Sequence, residues 1–228
     1  LALVDEVLDI ARIEAGRVSL SMEPIDVASV VTEAWELVRH RAEQDGITLV
    51  ADGSLECDVK VTADQQRLKQ VILNLLSNAV KYNEPDGRVS VHCGRGMTGA
   101  NRLRISVTDT GPGIAQEAQK RLFQPFERLG AEASGIEGTG IGLAVSRGLV
   151  EAMEGEIGVE STVGEGSTFW VELPLDPQQE IVRAPVQEAT PVAVEPTAPA
   201  RSSRILYIED NPSNFKLVER VLTRRPNV

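Results

Sequence analysis

Asp64-Gln-Gln-Arg67-Leu-Lys-Gln70-Val-Ile-Leu-Asn74-Leu-Leu-Ser-Asn78-Ala-Val-Lys81-Tyr82 is the stretch from which the rest of the chain can be read. Asp64 suits a helix N-cap, and the apolar residues Leu68, Val71, Ile72, Leu75, Leu76 and Ala79 recur at helical spacing. They form one broad apolar arc. Arg67, Gln70, Asn74, Asn78 and Lys81 fall on the opposite side, in a stripe about 80° wide at about 100° per residue. A solvated surface face is the ordinary reading of such a stripe. Two asparagines inside a helix nevertheless sacrifice helix propensity. Their neutral carbonyl oxygens suit Mg²⁺ beside phosphates, and Lys81, less than a turn beyond Asn78, can meet a phosphate charge.

Elements before and after this helix follow from pattern. Residues 2–15 read as the end of a long helix stopped by Gly16, and Val18 to Met22 alternates like a short strand. Asp26 caps a helix from about Val27 to Gln44, closed by Asp45-Gly46. Strands are expected at Ile47–Ala51, Val59–Thr62, Val89–Cys93 and Leu103–Thr108, then a Gly-rich stretch from Gly111 to Gly142. A helix over Leu143–Met153 and a hairpin pairing Glu156–Ser161 with Ser167–Leu173 complete the unit. Helices and strands mix without a βαβ rhythm. The expected fold is therefore α+β, a two-layer α/β sandwich with a mainly antiparallel mixed sheet packed on helices.

Composition narrows the function classes. The net charge of −11 repels nucleic acid and anionic lipid, though a local site with Mg²⁺ can still take a phosphate ligand. Cys57 and Cys93 have no CxxC spacing, which suggests neither a disulfide framework nor a zinc site and fits a reducing cytoplasm. No apolar run approaches the roughly 18 residues that span a bilayer. The chain begins at Leu1 inside a helical pattern, so upstream sequence, with room for a membrane-attached sensor, is expected. After Leu175 the residues 176–203 are rich in Pro, Ala and Gln and read as an extended linker.

Two glycine-containing segments carry possible chemistry. Asp109-Thr-Gly-Pro-Gly113 follows a strand. It is either a tight turn or a site where Asp109 accepts a hydrogen bond from an exocyclic amine while Gly111 and Gly113 let a ligand approach the backbone. Gly138-Thr-Gly-Ile-Gly142-Leu143 opens a helix, so it is either a hinge or a place where helix-terminal N–H groups meet an anion. The stretch 130–140, with four glycines, reads as a mobile lid.

In order, Asn74-Leu-Leu-Ser-Asn78-Ala-Val-Lys81-Tyr82, Asp109-Thr-Gly-Pro-Gly113, Phe123-Gln-Pro-Phe126 and Gly138-Thr-Gly-Ile-Gly142-Leu resemble the N, G1, F and G2 boxes of histidine protein kinases. Gly164-Glu-Gly-Ser-Thr168-Phe resembles the final glycine box. The likeness covers residues 1–175 and places the chain beside the ATPases of the gyrase, Hsp90, histidine kinase and MutL superfamily. It implies that Asp109 binds the adenine amine, with Thr168 beside the base. Asn78 is implied as the Mg²⁺ ligand, with Asn74 near metal and phosphates, and Lys81 and Tyr82 at phosphate or ribose. Gly111, Gly113, Ile114, Gly138, Thr139, Gly140, Gly142 and Leu143 are implied to line the nucleotide or shape its lid. Phe123 and Phe126 are implied to anchor the lid base against the core.

The flanks extend the resemblance. Residues 1–16 resemble the end of the second dimerisation helix of a histidine kinase, and 17–175 its ATP-binding catalytic domain. Ile205-Leu-Tyr-Ile-Glu209-Asp210-Asn211-Pro-Ser-Asn214, within 204–228, resembles the start of a response-regulator receiver, where Glu209 and Asp210 would help hold Mg²⁺. A hybrid sensor kinase is implied, homodimeric at full length. Its partners would be Mg-ATP, a phosphoacceptor His on a dimerisation helix, and a receiver domain. His40 and His92 lack the family's acceptor pattern and read as structural or surface residues. One departure stands out. Superfamily ATPases carry a water-activating Glu one turn before the metal Asn, and here that place holds Asn74, which cannot take a proton. This argues against an ATP-driven clamp, and the intact boxes argue against a degenerate binding module. Asn74 and Lys81 are the residues expected to set catalysis.

Overall fold

Apolar periodicity and side-chain caps decide the helices of this computed structural model. It describes residues 2–15, 17–51, 59–99, 101–127 and 138–177. The chain divides into two compact units, Leu1–Ile181 and Val182–Val228, and all described residues fall in the first. The helices are α1 (Ala2–Glu14), α2 (Val27–Gln44), α3 (Gln65–Lys81), the single turn α4 (Gln116–Gln119) and α5 (Gly142–Ala152). The Asp26 carboxylate caps α2 by accepting from the Ala28 N–H, and the Asp64 carboxylate caps α3 by accepting from Arg67. Each satisfies a helix-terminal donor that would otherwise lack a partner.

Among the described residues, seven strands form two sheets. β1 (Glu23–Asp26) pairs antiparallel with β3 (Lys60–Ala63). The larger sheet has the order β2-β4-β5-β7-β6, from β2 (Thr48–Ala51), β4 (Arg88–Arg95), β5 (Arg102–Asp109), β6 (Glu156–Thr162) and β7 (Gly166–Pro174). Among these described strands only the β2–β4 pair is parallel. This is the α+β sandwich with a mainly antiparallel mixed sheet that the sequence implies. Inward residues alternate along β5 and β7, namely Leu103, Ile105 and Val107 against Phe169, Val171 and Leu173. They meet the apolar arc of α3, whose Leu68, Val71, Ile72, Leu75 and Leu76 are all buried. α2 and α5 pack on either side of α3, and α1 lies against α5. There Ile13 covers Gly148 so closely that a β-carbon on Gly148 would fall 2.4 Å from Ile13 Cγ2.

The sequence expectations differ from the structure in two places. The strand expected over Val18–Met22 forms instead at Glu23–Asp26; Val18 and Leu20 are half-buried but outside the sheet. Pro24 sits within that strand, which is tolerated because β1 is an edge strand. The folded unit also runs slightly past residue 175. Leu175 bridges to Val61, its N–H donates to Asn101, and the Asp176 N–H donates to Lys60. The rest of the expected linker and the receiver-like segment lie outside the described residues.

On the sheet face away from the helices, the fully buried Glu172 secures the β4–β5 turn. It accepts from the backbone N–H of Met97 (2.8 Å) and Thr98 (3.0 Å), from the Thr98 hydroxyl, and from Arg104 Nε (2.7 Å). Burial pushes its pKa up, but these hydrogen bonds prevail and hold it at about 2. A depressed carboxylate stabilises the fold fully above its unfolded value of 4.5 and loses that contribution as pH falls toward 2. The thermal midpoint should therefore fall across that window. Glu172→Gln should lower the midpoint at neutral pH and flatten the acid limb, which a melting series against pH would show. An acid limb of unchanged steepness would exclude Glu172 as its source.

Candidate nucleotide site

The polar stripe of α3 serves two ends of the molecule. At its N-terminal end Arg67 NH1 lies 3.5 Å from Asp9 Oδ2, and Gln70 Nε2 donates to the same oxygen at 3.3 Å, so both side chains hold α1. At its C-terminal end Asn74 Nδ2 donates to Ser146 Oγ of α5 at 2.9 Å. Asn78 Nδ2 reaches Asn74 Oδ1 at 3.5 Å. Lys81 Nζ stands 4.9 Å from the centre of the Tyr82 ring, a cation–π distance.

The glycine segment before α5 comes to the same end. A β-carbon on Gly138 would lie 2.7 Å from Lys81 Nζ and 3.6 Å from the Tyr82 hydroxyl, and one on Gly142 would lie 2.6 Å from Asn74 Oδ1. Thr139 Oγ1 accepts from the Ile141 N–H at 3.2 Å, and no side chain caps α5 itself. The first turn of α5 thus directs backbone N–H groups and the positive end of its dipole toward the asparagines and Lys81. Gly140 has φ +71°, and its carbonyl accepts from the Phe126 N–H at 2.9 Å. Residues 128–137, most of the expected lid, lie outside the described residues. Leu143 and Ile114 are half-buried and pack against the core.

Asp109 ends β5 and is 8% exposed. Its Oδ1 accepts from the N–H of Gly111 (2.9 Å) and of Ser167 (3.2 Å). Burial pushes its pKa above the ordinary carboxylate value, and the two N–H donors only partly offset this. Both donors use one oxygen, so Oδ2 remains as an acceptor. The turn after Asp109 abuts the end of α3, because a β-carbon on Gly111 would lie 2.9 Å from the Tyr82 carbonyl oxygen. The structure thus gathers Asp109, Tyr82, Lys81, Asn78, Asn74 and the Gly138–Gly142 segment around the C-terminal end of α3.

Three implied roles change. Thr168 pairs with Thr108 in the β5–β7 register, and their hydroxyls lie 3.0 Å apart, whereas Ser167 pairs with Asp109. Neighbouring strand residues face opposite ways. Ser167, 6% exposed, therefore shares the face of Asp109, and Thr168 belongs to the other. The side on which Gly113 would carry a β-carbon faces protein: it has φ +69°, and a β-carbon there would lie 2.0 Å from the Thr162 carbonyl oxygen. Phe126 is 66% exposed and anchors no lid base through its ring; its backbone N–H makes that connection, while Phe123 is half-buried.

Sequence reasoning passed over Ser146, Ser161 and Ser167. Ser161 Oγ accepts from the Ile114 N–H at 2.8 Å and lies 3.0 Å from Ser167 Oγ, so it ties the Asp109 turn to β6. The signal for Ser167 was present, because counting strand alternation back from Phe169 puts it on the inner face. His40 and His92 are both exposed, and His40 Nε2 lies 2.9 Å from Gln44 Nε2.

This fold and this arrangement of boxes define a class. The chain belongs to the histidine kinase-, DNA gyrase B- and HSP90-like ATPases, whose family model matches residues 63–177. Within it the chain is similar to sensor histidine kinases. It is 40% identical to the circadian input-output histidine kinase CikA of Synechococcus elongatus over 176 residues, covering 76% of this chain and 23% of that protein. It is 37% identical to the sensor histidine kinase AruS of Pseudomonas aeruginosa over 230 residues, covering 98% of this chain and 22% of that one. The chain therefore spans under a quarter of the length of these curated relatives. Among solved structures, full-length ShkA in complex with AMPPNP superposes with a TM-score of 0.66 at 36% identity, over 76% of this chain and 35% of that one. No helix among the described residues is long and apolar enough to cross a membrane.

Proposed function

We propose that this chain is the catalytic part of a hybrid sensor histidine kinase, which binds Mg-ATP and passes its γ-phosphate to a histidine on a dimerisation helix. The observation that carries the reading is the convergence at one end of α3 of a buried carboxylate with an uncommitted oxygen, two linked asparagines, a lysine and an uncapped helix N-terminus. The relatives named as sensor histidine kinases support it, as does ShkA, which was solved with an ATP analogue.

Asp109 Oδ2 accepts the adenine amine, and Ser167 lies beside it to complete the base contact. Asn78 presents a neutral carbonyl oxygen to Mg²⁺. The donor set fits that ion, because Mg²⁺ is usually held by one or two protein oxygens plus substrate phosphates. Among the described residues no group of three His, Cys, Asp or Glu side chains could hold a metal alone. When bound, the ion neutralises phosphate oxygens. Lys81 and the first N–H groups of α5 add positive potential on the same side, so the protein contributes positioning and electrostatics. Asn74 offers no basic group to activate water, which leaves the γ-phosphate for a protein nucleophile. A neutral imidazole is a competent one near neutral pH. The phosphoryl group then passes to an Asp of a receiver domain.

Titration calorimetry should show Mg-ATP binding to this 228-residue chain. Incubation with γ-labelled ATP should leave it unlabelled, since His40 and His92 are its only histidines. Adding a polypeptide that carries the dimerisation helices should yield acid-labile label on that polypeptide. Label on His40 or His92, or no nucleotide binding, would overturn the reading.

A further inference from the structure

Ser146 has no place in the motif-based account of the site, yet it is a buried polar side chain, 2% exposed, on the inner face of α5. Its hydroxyl oxygen accepts from Asn74 Nδ2 at 2.9 Å. With that amide nitrogen engaged, Asn74 Oδ1 turns toward the first turn of α5, close to Gly142, where the positive helix end favours an oxygen over an NH₂ group. Asn78 Nδ2 then approaches Asn74 Oδ1 at 3.5 Å, so Asn78 Oδ1 is the end left over. The order Ser146, Asn74, Asn78 is a relay of donor and acceptor polarity. If either amide reversed, it would present N–H groups where a cation requires an oxygen.

We propose that Ser146 is a positioning residue that tethers the Asn74 side chain to α5, where the positive helix end sets the amide orientation, and through it directs the Asn78 carbonyl oxygen toward the metal–phosphate side of the site. This rests on the nucleotide-site reading above for its ligand, but not for its geometry. α5 begins at the glycine segment that reaches Lys81, so the same helix carries both the phosphate-facing backbone and the group that orients the asparagines.

The test compares Ser146→Ala with Ser146→Cys. The thiol restores much of the volume but accepts hydrogen bonds weakly, so a packing role would be rescued by Cys and an orienting role would not. The first readout needs no nucleotide: hydrogen exchange of the Asn74 side-chain NH₂, followed by NMR in the free protein. Both variants should accelerate it by about 2- to 12-fold, the range that one ordinary hydrogen bond gives. The second readout is calorimetry with ADP in EDTA and with ATP plus Mg²⁺. Affinity for metal-free ADP should hold, because Asp109 is untouched, while the gain from Mg²⁺ should shrink by about the same 2- to 12-fold factor. Unchanged Asn74 exchange, equal losses for ADP and Mg-ATP, or recovery in Ser146→Cys would each overturn the proposal. Failure of the wild type to bind Mg-ATP would instead remove the nucleotide-site reading, and the Asn74 exchange would still decide the role of Ser146.

Discussion

Asp109→Asn is expected to lower affinity for adenine nucleotides by about 10- to 150-fold while leaving the fold intact. The factor is that of one charge-assisted hydrogen bond, about 1.5–3 kcal/mol. The geometry explains why the two effects separate. The Gly111 and Ser167 N–H groups both donate to Oδ1, and the asparagine keeps a carbonyl oxygen in that place. What changes is the other terminus, where an acceptor becomes an NH₂ group facing the amine it should receive. Burial already disfavours the charged form of Asp109, so a neutral side chain relieves a desolvation cost at neutral pH. The thermal midpoint of the free variant should thus match or exceed that of the wild type while calorimetry records the loss of binding. Unchanged ATP affinity would remove Asp109 from the site. A variant that unfolds would show that the carboxylate charge holds the turn.

The second large effect is expected at Asn74. The wild type should hydrolyse ATP far more slowly than a dedicated ATPase, because the side chain one turn before Asn78 cannot accept a proton. Asn74→Glu places a carboxylate there. General-base catalysis contributes typically 10²–10⁴-fold, so even imperfect alignment should give a measurable rise in basal hydrolysis. Two neighbours bear on the result. Ser146, which accepts from the asparagine amide, can rotate its hydroxyl to donate to a carboxylate instead. Gly142 leaves the space that the longer side chain needs, since the asparagine oxygen already lies 2.6 Å from where a β-carbon would be. The added charge also repels phosphate, so turnover must be measured at saturating Mg-ATP. Wild-type turnover of about 1 s⁻¹ or more, within the ordinary enzyme range, would show that Asn74 does not set the kinase character and would revive the clamp reading.

The sequence exposes what is local. The caps Asp26 and Asp64, the apolar arcs of α2 and α3, and the alternation of β5 and β7 depend on neighbours a few residues away, and their positions agree with the pattern. The displaced β1 was less legible, because Val18 to Met22 alternates more cleanly than Glu23-Pro-Ile-Asp26, and pairing with distant β3 decided the matter. The error at Thr168 was one of register. A single-residue slip along a strand reverses its face, and only pairing with β5 shows that Ser167 stands opposite Asp109. The α3 stripe was legible as a stripe but not as two halves, because the partners of Arg67 and Gln70 lie on α1, some 60 residues earlier. Ser146 was hidden for the same reason: its partner, Asn74, is 72 residues away.

Gly113 and Gly166 sit in glycine boxes that the resemblance ties to nucleotide binding, yet both are held by the polypeptide itself. Each has a positive φ, and a β-carbon on either would fall 2.0 Å from a backbone oxygen, that of Thr162 for Gly113 and that of Asp109 for Gly166. Asn78 and Lys81 have no comparable duty to the fold; the strongest contacts shown for them are a 3.5 Å approach to Asn74 and a stack on Tyr82. If a lineage ceased to use nucleotide, purifying selection would continue to hold these two glycines, while the asparagine and the lysine would be free to decay. On the proposed function, the glycines would record ancestry, and Asn78 with Lys81 would record present use.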